Sequence, residues 1–343
     1  MRALVFGAGA IGTYIGGSLA AAGHTVTFLA RPATAQALRE QGLCLALKRE
    51  KRIVKKIVRE ISVAASPAEA LAAPHDFIVF ALKSFDTASA LAELRAAPRT
   101  PPPLLCLQNG VDNEASIAEA FGAERVIAGT VTTAVSKSSV GQILVERERG
   151  AGVALGHPLS AQIVEALKGA GLNIRAYPSA GPMKWSKLLA NLVGNAASAI
   201  LDMPVAELFA DPRLFAVELA ALRECLAVMR ALNYPGVDLP GTPVRALAFA
   251  LEHVPPPIAR PLLRRGVSAG RGGKMPSFHI DLHSGRGQTE VRWLNGAVAR
   301  HGAERGVPTP VNQILTETLE ALSAGRLNKE DFRRRPEALL RFL

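Results

Sequence analysis

Apolar positions along the chain fall in short runs broken by glycine and proline, and the period of those runs changes near the middle. Ala3–Phe6 reads as a short buried strand, and GAGAIG (Gly7–Gly12) follows at once. An alanine-rich helix is expected over Ala10–Ala22, stopping at Gly23, a usual C-terminal residue. His24–Ala30 is a second, β-branched strand that ends in Arg31 and Pro32. Strand, glycine turn, helix and strand within about thirty residues form a βαβ unit of the dinucleotide-binding kind. A helix at Ala35–Gln41 follows, then a hairpin joining Leu43–Leu47 to Ile53–Val63 across the basic turn Lys48–Arg52. Alternation continues with the strand Phe77–Leu82, a helix from Ala88 to Ala96, the strand Leu104–Leu107, the helix Glu114–Phe121 and the strand Val126–Val135. This predicts an α/β doubly wound, mostly parallel sheet.

Past Val135 the texture changes. Gln142–Glu148 and Val153–Leu155 read as two more strands and Ala161–Ala170 as a helix. After the turn-forming Pro178–Pro182, long helical periods are expected over Met183–Leu201, Pro212–Leu232, Gly296–Arg305 and Pro310–Ala324. The boundary is placed there, with residues 1–178 as a dinucleotide-binding domain and 179–343 as a helical substrate and dimerisation domain. Asn233–Met275 is rich in Pro and Gly and reads as an insert or lid around one helix.

The length of 343 residues agrees with two domains at roughly 100–200 residues each. Hydrophobic residues make up 49% of the chain, which excludes a disordered protein. Cys44, Cys106 and Cys225 are too scattered for a metal motif or a disulfide framework, so a reducing cytoplasm fits and no metal is expected. No stretch reaches the ~20 apolar residues of a membrane span. The first residues resemble a signal peptide in outline, but glycines at 7, 9, 12, 16 and 17 and the strand that follows favour a mature cytoplasmic start. The formal charge of +11 leaves nucleic acid, an anionic membrane surface and small anions to be separated.

The glycine turn favours small anions. Its position between a strand and a helix gives the pattern a mechanism: Gly7 makes the tight turn, Gly9 admits the pyrophosphate, and Gly12 lets helix and strand pack, with Ala10 and Ile11 opening the helix toward the phosphates. An NAD site would place an acid at the end of the second strand, whereas this chain has Arg31 there and no Asp or Glu before Glu40. Arg31 suits a 2′-phosphate, so NADPH/NADP+ is favoured over NAD, against the alternative of a solvated loop arginine. Lys83 and Asn109 follow the next two strands, where phosphate, ribose or nicotinamide contacts are expected and turn roles remain open.

Lys187, Asn191 and Asn195 stand at i, i+4 and i+8 in an otherwise apolar stretch, so a continuous helix would align them on one face. Asparagine is a poor helix former, and amides with one amine differ from the Glu, Arg and Gln of a usual solvated stripe. A lysine with a pKa lowered by partial burial can protonate the alkoxide formed when hydride reaches a ketone, and amides can hold hydroxyl or carboxylate groups. Glu290 can orient that amine or bind a substrate hydroxyl, or can simply favour a helix N-terminus. Ser277 can bind a carboxylate or cap a helix.

With these residues assembled, the chain resembles the ketopantoate reductase (2-dehydropantoate 2-reductase) family, NADPH-dependent enzymes of pantothenate biosynthesis. The resemblance rests on GAGAIG with Arg31, LKSFDT (Leu82–Thr87), LQNGVDNE (Leu107–Glu114), KWSKLLANLVGNAASAI (Lys184–Ile200) and TEVRWLNG (Thr289–Gly296), in the family's order. It implies an N-terminal Rossmann domain, a C-terminal all-α domain of the 6-phosphogluconate dehydrogenase-like type, and an active site in the cleft between them. By the same match, Lys187 resembles the general acid and Glu290 the substrate-contacting carboxylate. Asn191 and Asn195 resemble the substrate-binding asparagines, Ser277 the carboxylate-binding serine, and Arg31, Lys83 and Asn109 the cofactor-binding residues. Asn109 is also expected beside the substrate.

Three departures touch the substrate side. The family often has an asparagine shortly after the catalytic helix, where this chain reads DMPVAEL with Val205. Arg292 stands where the glutamate motif usually carries Asp, and the 233–275 stretch is longer than in compact members, with one residue inserted between Ser277 and Glu290. The substrate expected is therefore a small 2-oxo acid, with ketopantoate first, another 2-oxo acid or ketone as the alternative, and a catalytically silent NADPH-binding regulator as a further one. The basic clusters at Lys48–Arg59, Arg260–Lys274 and Arg333–Arg335 lack interleaved aromatics, so nucleic acid is not expected, nor a membrane. A helical C-terminal domain commonly offers a homodimer interface, which keeps a homodimer open.

Overall fold

The chain begins with β1 (Arg2–Phe6), buried from Ala3 onward, and alternate residues of that strand enter different clusters. Ala3 and Val5 pack with Ile15, Phe28 and Val79, whereas Leu4 and Phe6 pack with Ile78 and Phe80, so both faces of the strand lie in core. The structure, a computed structural model, describes residues 1–49, 52–271, 275–285 and 287–343. Glu50 and Lys51 of the expected basic turn, and residues 272–274 at the end of the expected insert and basic cluster, lie outside them. The described chain divides into two compact units, of which the first holds Met1–Gln108, Asp112–Lys184 and Leu239–Thr242.

The strands of that first unit, after β1, are β2 (Thr25–Leu29), β3 (Leu43–Arg49), β4 (Arg52–Val58), β5 (Ser62–Ala64), β6 (Phe77–Phe80) and β7 (Leu104–Cys106). They continue with β8 (Val126–Val131), β9 (Ala134–Ser139), β10 (Gln142–Arg147), β11 (Ala151–Ala154) and β12 (Ile174–Tyr177). Eight of them form a sheet in the order β12-β11-β8-β7-β6-β1-β2-β5. Its pairs are parallel except β8 with β11. Because β2 and β6 flank β1 on opposite sides, the order reverses at β1, and the glycine turn leaves from that switch point. The N-terminal half is the doubly wound Rossmann arrangement.

A second sheet, β4-β3-β10-β9, corrects two expectations. The expected hairpin arm Ile53–Val63 ends at Val58, and Ser62–Ala64 instead joins the main sheet beside β2. The expected strand Val126–Val135 breaks at Thr132 and Thr133, whose side chains are held on Gly150. The Thr132 hydroxyl donates to the Gly150 and Pro240 carbonyls at 3.0 and 2.8 Å, and the Thr133 hydroxyl accepts from the Gly150 N–H at 2.8 Å. The short strand Ile174–Tyr177 had no sequence expectation.

The second unit comprises Asn109–Val111, Trp185–Asp238 and Pro243–Leu343 and is helical. Its longest helix, Pro212–Ala231, starts where Asp211 accepts from the Arg213 N–H and Pro212 fills the first turn. The expected helix Met183–Leu201 is two helices, Ala180–Leu192 and Asn195–Leu201. Gly194 breaks it: its φ of +62° is left-handed, its N–H donates to the buried Glu218 carboxylate at 2.7 Å, and a Cβ there would stand 2.3 Å from Val205 Cγ1. Among its described residues the 233–275 stretch contains two helices rather than one, Val244–His253 and Pro256–Arg271. Among the described residues no helix is long and apolar enough to cross a membrane.

Candidate active site

In the first unit the glycine turn shows three different reasons for three glycines. Gly7 has φ +109° and a Cβ there would lie 2.8 Å from the Ala81 carbonyl oxygen, while a Cβ on Gly12 would lie 1.9 Å from the Gly7 oxygen. Those two are required by the fold. A Cβ on Gly9 would meet nothing within 4 Å, so the open space in front of it is what a close-approaching ligand would use. The Ala10–Ala21 helix that follows has no side-chain cap and no acid in its first turn, so the N–H groups of Ala10 and Ile11 open an uncompensated positive end. These features fit a pyrophosphate.

Arg31 sits at the end of β2 as N-cap of the Pro32–Gln41 helix. Its side chain is 87% exposed and its guanidinium is 3.8 Å from the Asp86 carboxylate, a loose surface pair that a doubly charged phosphate can displace. Lys83 follows β6, half-buried, directly before the Ser84–Asp86 turn. Its position is fixed by a network that sequence reasoning missed. Buried Gln108, after β7, donates to the Lys83 carbonyl at 3.2 Å and to the Thr87 hydroxyl at 2.8 Å. Thr87 in turn donates to Asn113, which donates to Ser84. Lys137, on β9, donates to the Ala8 carbonyl at 3.2 Å and steadies the glycine turn from the other sheet.

The second unit gathers the substrate-side residues. Asn191 donates through Nδ2 to Asn109 Oδ1 at 3.1 Å, and Asn109 Nδ2 donates to Glu290 Oε2 at 3.3 Å. Glu290 is only 2% exposed and opens a one-turn 3-10 helix, Glu290–Trp293, started by the Thr289 side chain. A Cβ on Gly110 would lie 2.7 Å from the Trp293 carbonyl, which is how closely the Asn109 turn lies against that helix. Lys187 is half-buried on the Ala180–Leu192 helix, one turn before Asn191 and on its face.

Asn195 departs from the expected shared face, because the break at Gly194 puts it at the start of the next helix. There its Nδ2 donates to Ser277 Oγ at 3.2 Å and its Oδ1 accepts the Phe278 N–H at 3.1 Å. Pro276, the N-cap of the Ser277–Leu282 helix, has no side-chain capping bond, and Asn195 takes the Phe278 N–H from outside the helix. The structure thus brings the expected residues of this unit into two polar groups, Asn191–Asn109–Glu290 and Asn195–Ser277.

A buried ion pair in the first unit was also missed. Lys184, 4% exposed, donates to the Gln108 and Gly129 carbonyls at 2.8 and 3.3 Å. The Glu114 carboxylate stands 2.8 Å away as a charge partner rather than as an aligned hydrogen bond. Burial is the largest single influence and lowers the Lys184 pKa, but the Glu114 carboxylate and the Cys106 sulfur together outweigh it and the net shift is upward. The same burial, with Glu114 nearby, pushes the Cys106 thiol well up, so it is inert. KWSK holds two lysines three apart, and only packing distinguishes the ion-paired one from the half-buried one.

Comparison with known proteins follows the same division. The family described as ketopantoate reductase PanE/ApbA matches residues 3–157, and its C-terminal counterpart matches residues 181–323. The chain is 29% identical over 331 residues to a 2-dehydropantoate 2-reductase of Halobacterium salinarum, covering 92% of this chain and 97% of that protein. A PanE/ApbA family ketopantoate reductase from Ralstonia eutropha has a TM-score of 0.79 at 27% identity, covering 95% of this chain and 99% of that one. A D-mandelate dehydrogenase solved with NADH and anilino(oxo)acetate has a TM-score of 0.74 at 22% identity over 95% of this chain and 99% of that one, a likeness of fold.

Proposed function

The chain belongs to the ketopantoate reductase PanE/ApbA family of NADP-dependent oxidoreductases, and from that premise we propose that it reduces a 2-oxo acid with NADPH, taking 2-dehydropantoate to pantoate. The observation that carries the reading is the grouping of Lys187 one helical turn from Asn191, whose amide begins the chain through Asn109 to buried Glu290. An amine, two amides and a carboxylate in that arrangement suit a substrate with a ketone, a hydroxyl and a carboxylate.

NADPH, when bound, supplies the hydride that adds to C2. The Gly7–Gly12 turn, with Ala10 and Ile11, holds the pyrophosphate, Arg31 the 2′-phosphate, and Lys83 a further cofactor group. Lys187 gives a proton from Nζ to the oxygen on C2 as the C=O π bond becomes O–H, and the resulting amine recovers its proton from solvent. Glu290 accepts a substrate hydroxyl, and Asn191 holds the oxo-acid oxygen. Asn195 and Ser277 form the carboxylate end, where the serine hydroxyl donates.

One observation favours a second substrate within the same chemistry. Val205, 5% exposed, packs on Gly194 directly before Asn195, in the stretch where the family often carries asparagine, and losing a polar group there would suit a bulkier or more branched 2-oxo acid. The test is NADPH absorbance followed across a panel of 2-oxo acids. A clear preference for ketopantoate supports the first reading, and preference for another acid supports the second. Tight NADPH binding without turnover of any acid overturns both in favour of a silent binding protein.

A further inference from the structure

The short helices that carry Asn195 and Ser277 at their starts also bring three metal-binding side chains together at their ends. Asp202 follows the Asn195–Leu201 helix, His279 lies on the Ser277–Leu282 helix, and His283 ends that helix. The nitrogen and oxygen donors of Asp202, His279 and His283 all lie within 4.8 Å of one another. We propose that Asp202, His279 and His283 form a binding site for a divalent transition-metal ion of the zinc class, which clamps these two helices together.

Three features carry this. The two histidines are four apart on one helix, so their rings face the same side, and the ring centroids are 4.3 Å apart. Two imidazoles and one carboxylate are a ligand set that zinc takes with water in the fourth position, at bond lengths of about 2.0–2.2 Å. Asp202 is also held in place: Arg333 Nε is 3.3 Å from Oδ2, and Oδ1 faces His279 Nε2 at 2.6 Å. Arginine thus takes one carboxylate oxygen and turns the other toward the imidazoles, as an outer partner of a metal ligand commonly does. Lys329 donates to the Leu282 carbonyl at 3.0 Å and so fixes the helix end beside His283.

Asp202 adopts φ +49°, left-handed for a residue with a side chain, which is a conformation held by its surroundings. Metal binding would exchange the His279 Nε2–H···Oδ1 hydrogen bond for two metal–ligand bonds: the imidazole stays protonated on Nδ1 alone, the Nε2 proton leaves to solvent, and the freed Nε2 lone pair goes to the metal. Neither histidine is used by the proposed reduction. A metal here would restrain the Asn195–Ser277 contact from the far ends of its two helices, which gives a divalent ion control over that contact without touching substrate.

The test uses the full chain, stripped with chelator and titrated with Zn2+ against a chromophoric competitor, and with Co2+ read by its visible absorption. One equivalent of Zn2+ is expected to bind, the melting temperature to rise, and Co2+ to give a tetrahedral spectrum. His283→Ala, a partly exposed helix-end change, should weaken Zn2+ at least about tenfold and abolish the spectrum. Asp202→Asn should weaken it while the apo protein keeps its circular dichroism. Zn2+ affinity and melting shift equal in wild type and His283→Ala would overturn the proposal, as would no binding at all. These readouts need no turnover, so they are independent of the substrate assignment.

Discussion

Asn109 donates to Glu290 across 181 residues of chain, at 3.3 Å. The bond joins the turn after β7 to the turn that opens with Glu290, and the same side chain accepts from Asn191. Asn109 is therefore the middle of a three-residue chain whose end is a buried carboxylate, and it aims both neighbours. Removing it as Asn109→Ala should cost about 1–3 kcal/mol of stability, as for other lost partners of buried polar groups. We expect KM for the oxo acid to rise with NADPH affinity kept within a few-fold. A parallel loss of NADPH affinity would instead make Asn109 a dinucleotide contact.

Lys187→Ala should lower kcat by about 10²–10⁴, the usual range for a positioned general acid. NADPH binding, read by fluorescence, should stay close to wild type, because the glycine turn and Arg31 belong to the other unit. A variant with unchanged kcat would remove Lys187 from the chemistry.

The Rossmann half was legible because its signals are local. A buried run, a glycine turn and a β-branched run follow one another within about thirty residues, and each constrains its own segment. The split of Val126–Val135 was not legible, since the Thr132 and Thr133 hydroxyls that break it bond to Gly150 and Pro240 far along the chain. Likewise the 3.6-residue period ran unbroken through Gly194, whose left-handed turn is set by Glu218 and Val205. On the substrate side the residue types were readable, and their pairing was not. Nothing local in the sequence says that Asn195 will hold Ser277 rather than stand in line with Asn191.

Arg31→Ala should weaken NADPH by about 10- to 100-fold, the worth of charge-assisted hydrogen bonds to a phosphate, and leave NADH nearly unchanged. The side chain is 87% exposed with one loose partner, so the melting temperature should not move. Equal weakening of the two cofactors in titrations would contradict a 2′-phosphate contact.

The buried pair Lys184–Glu114 sets a different expectation, for stability against pH. A folded pKa raised above the ordinary 10.5 means that its stabilisation is fully present below 10.5 and is lost only as pH climbs through the higher folded value. Urea midpoints at about pH 6 and about pH 9 should therefore show no loss attributable to this pair. Lys184→Met leaves the Glu114 carboxylate buried without its cation and should destabilise by about 3–5 kcal/mol. A variant as stable as wild type would mean that Glu114 finds water.

Two alanine substitutions one turn apart in the glycine motif should separate ligand binding from folding. Gly9 has φ −81° and ψ −169°, an extended conformation open to any residue, and a Cβ there meets nothing within 4 Å. Gly9→Ala should fold with an unchanged melting temperature and bind NADPH at least about tenfold more weakly, because the methyl group enters the space reserved for the pyrophosphate. Gly12→Ala places its Cβ 1.9 Å from the Gly7 oxygen and should give little folded protein. If Gly9→Ala binds NADPH as tightly as wild type, the open space before Gly9 is not where the phosphates sit. The glycine there would then have a cause outside cofactor binding.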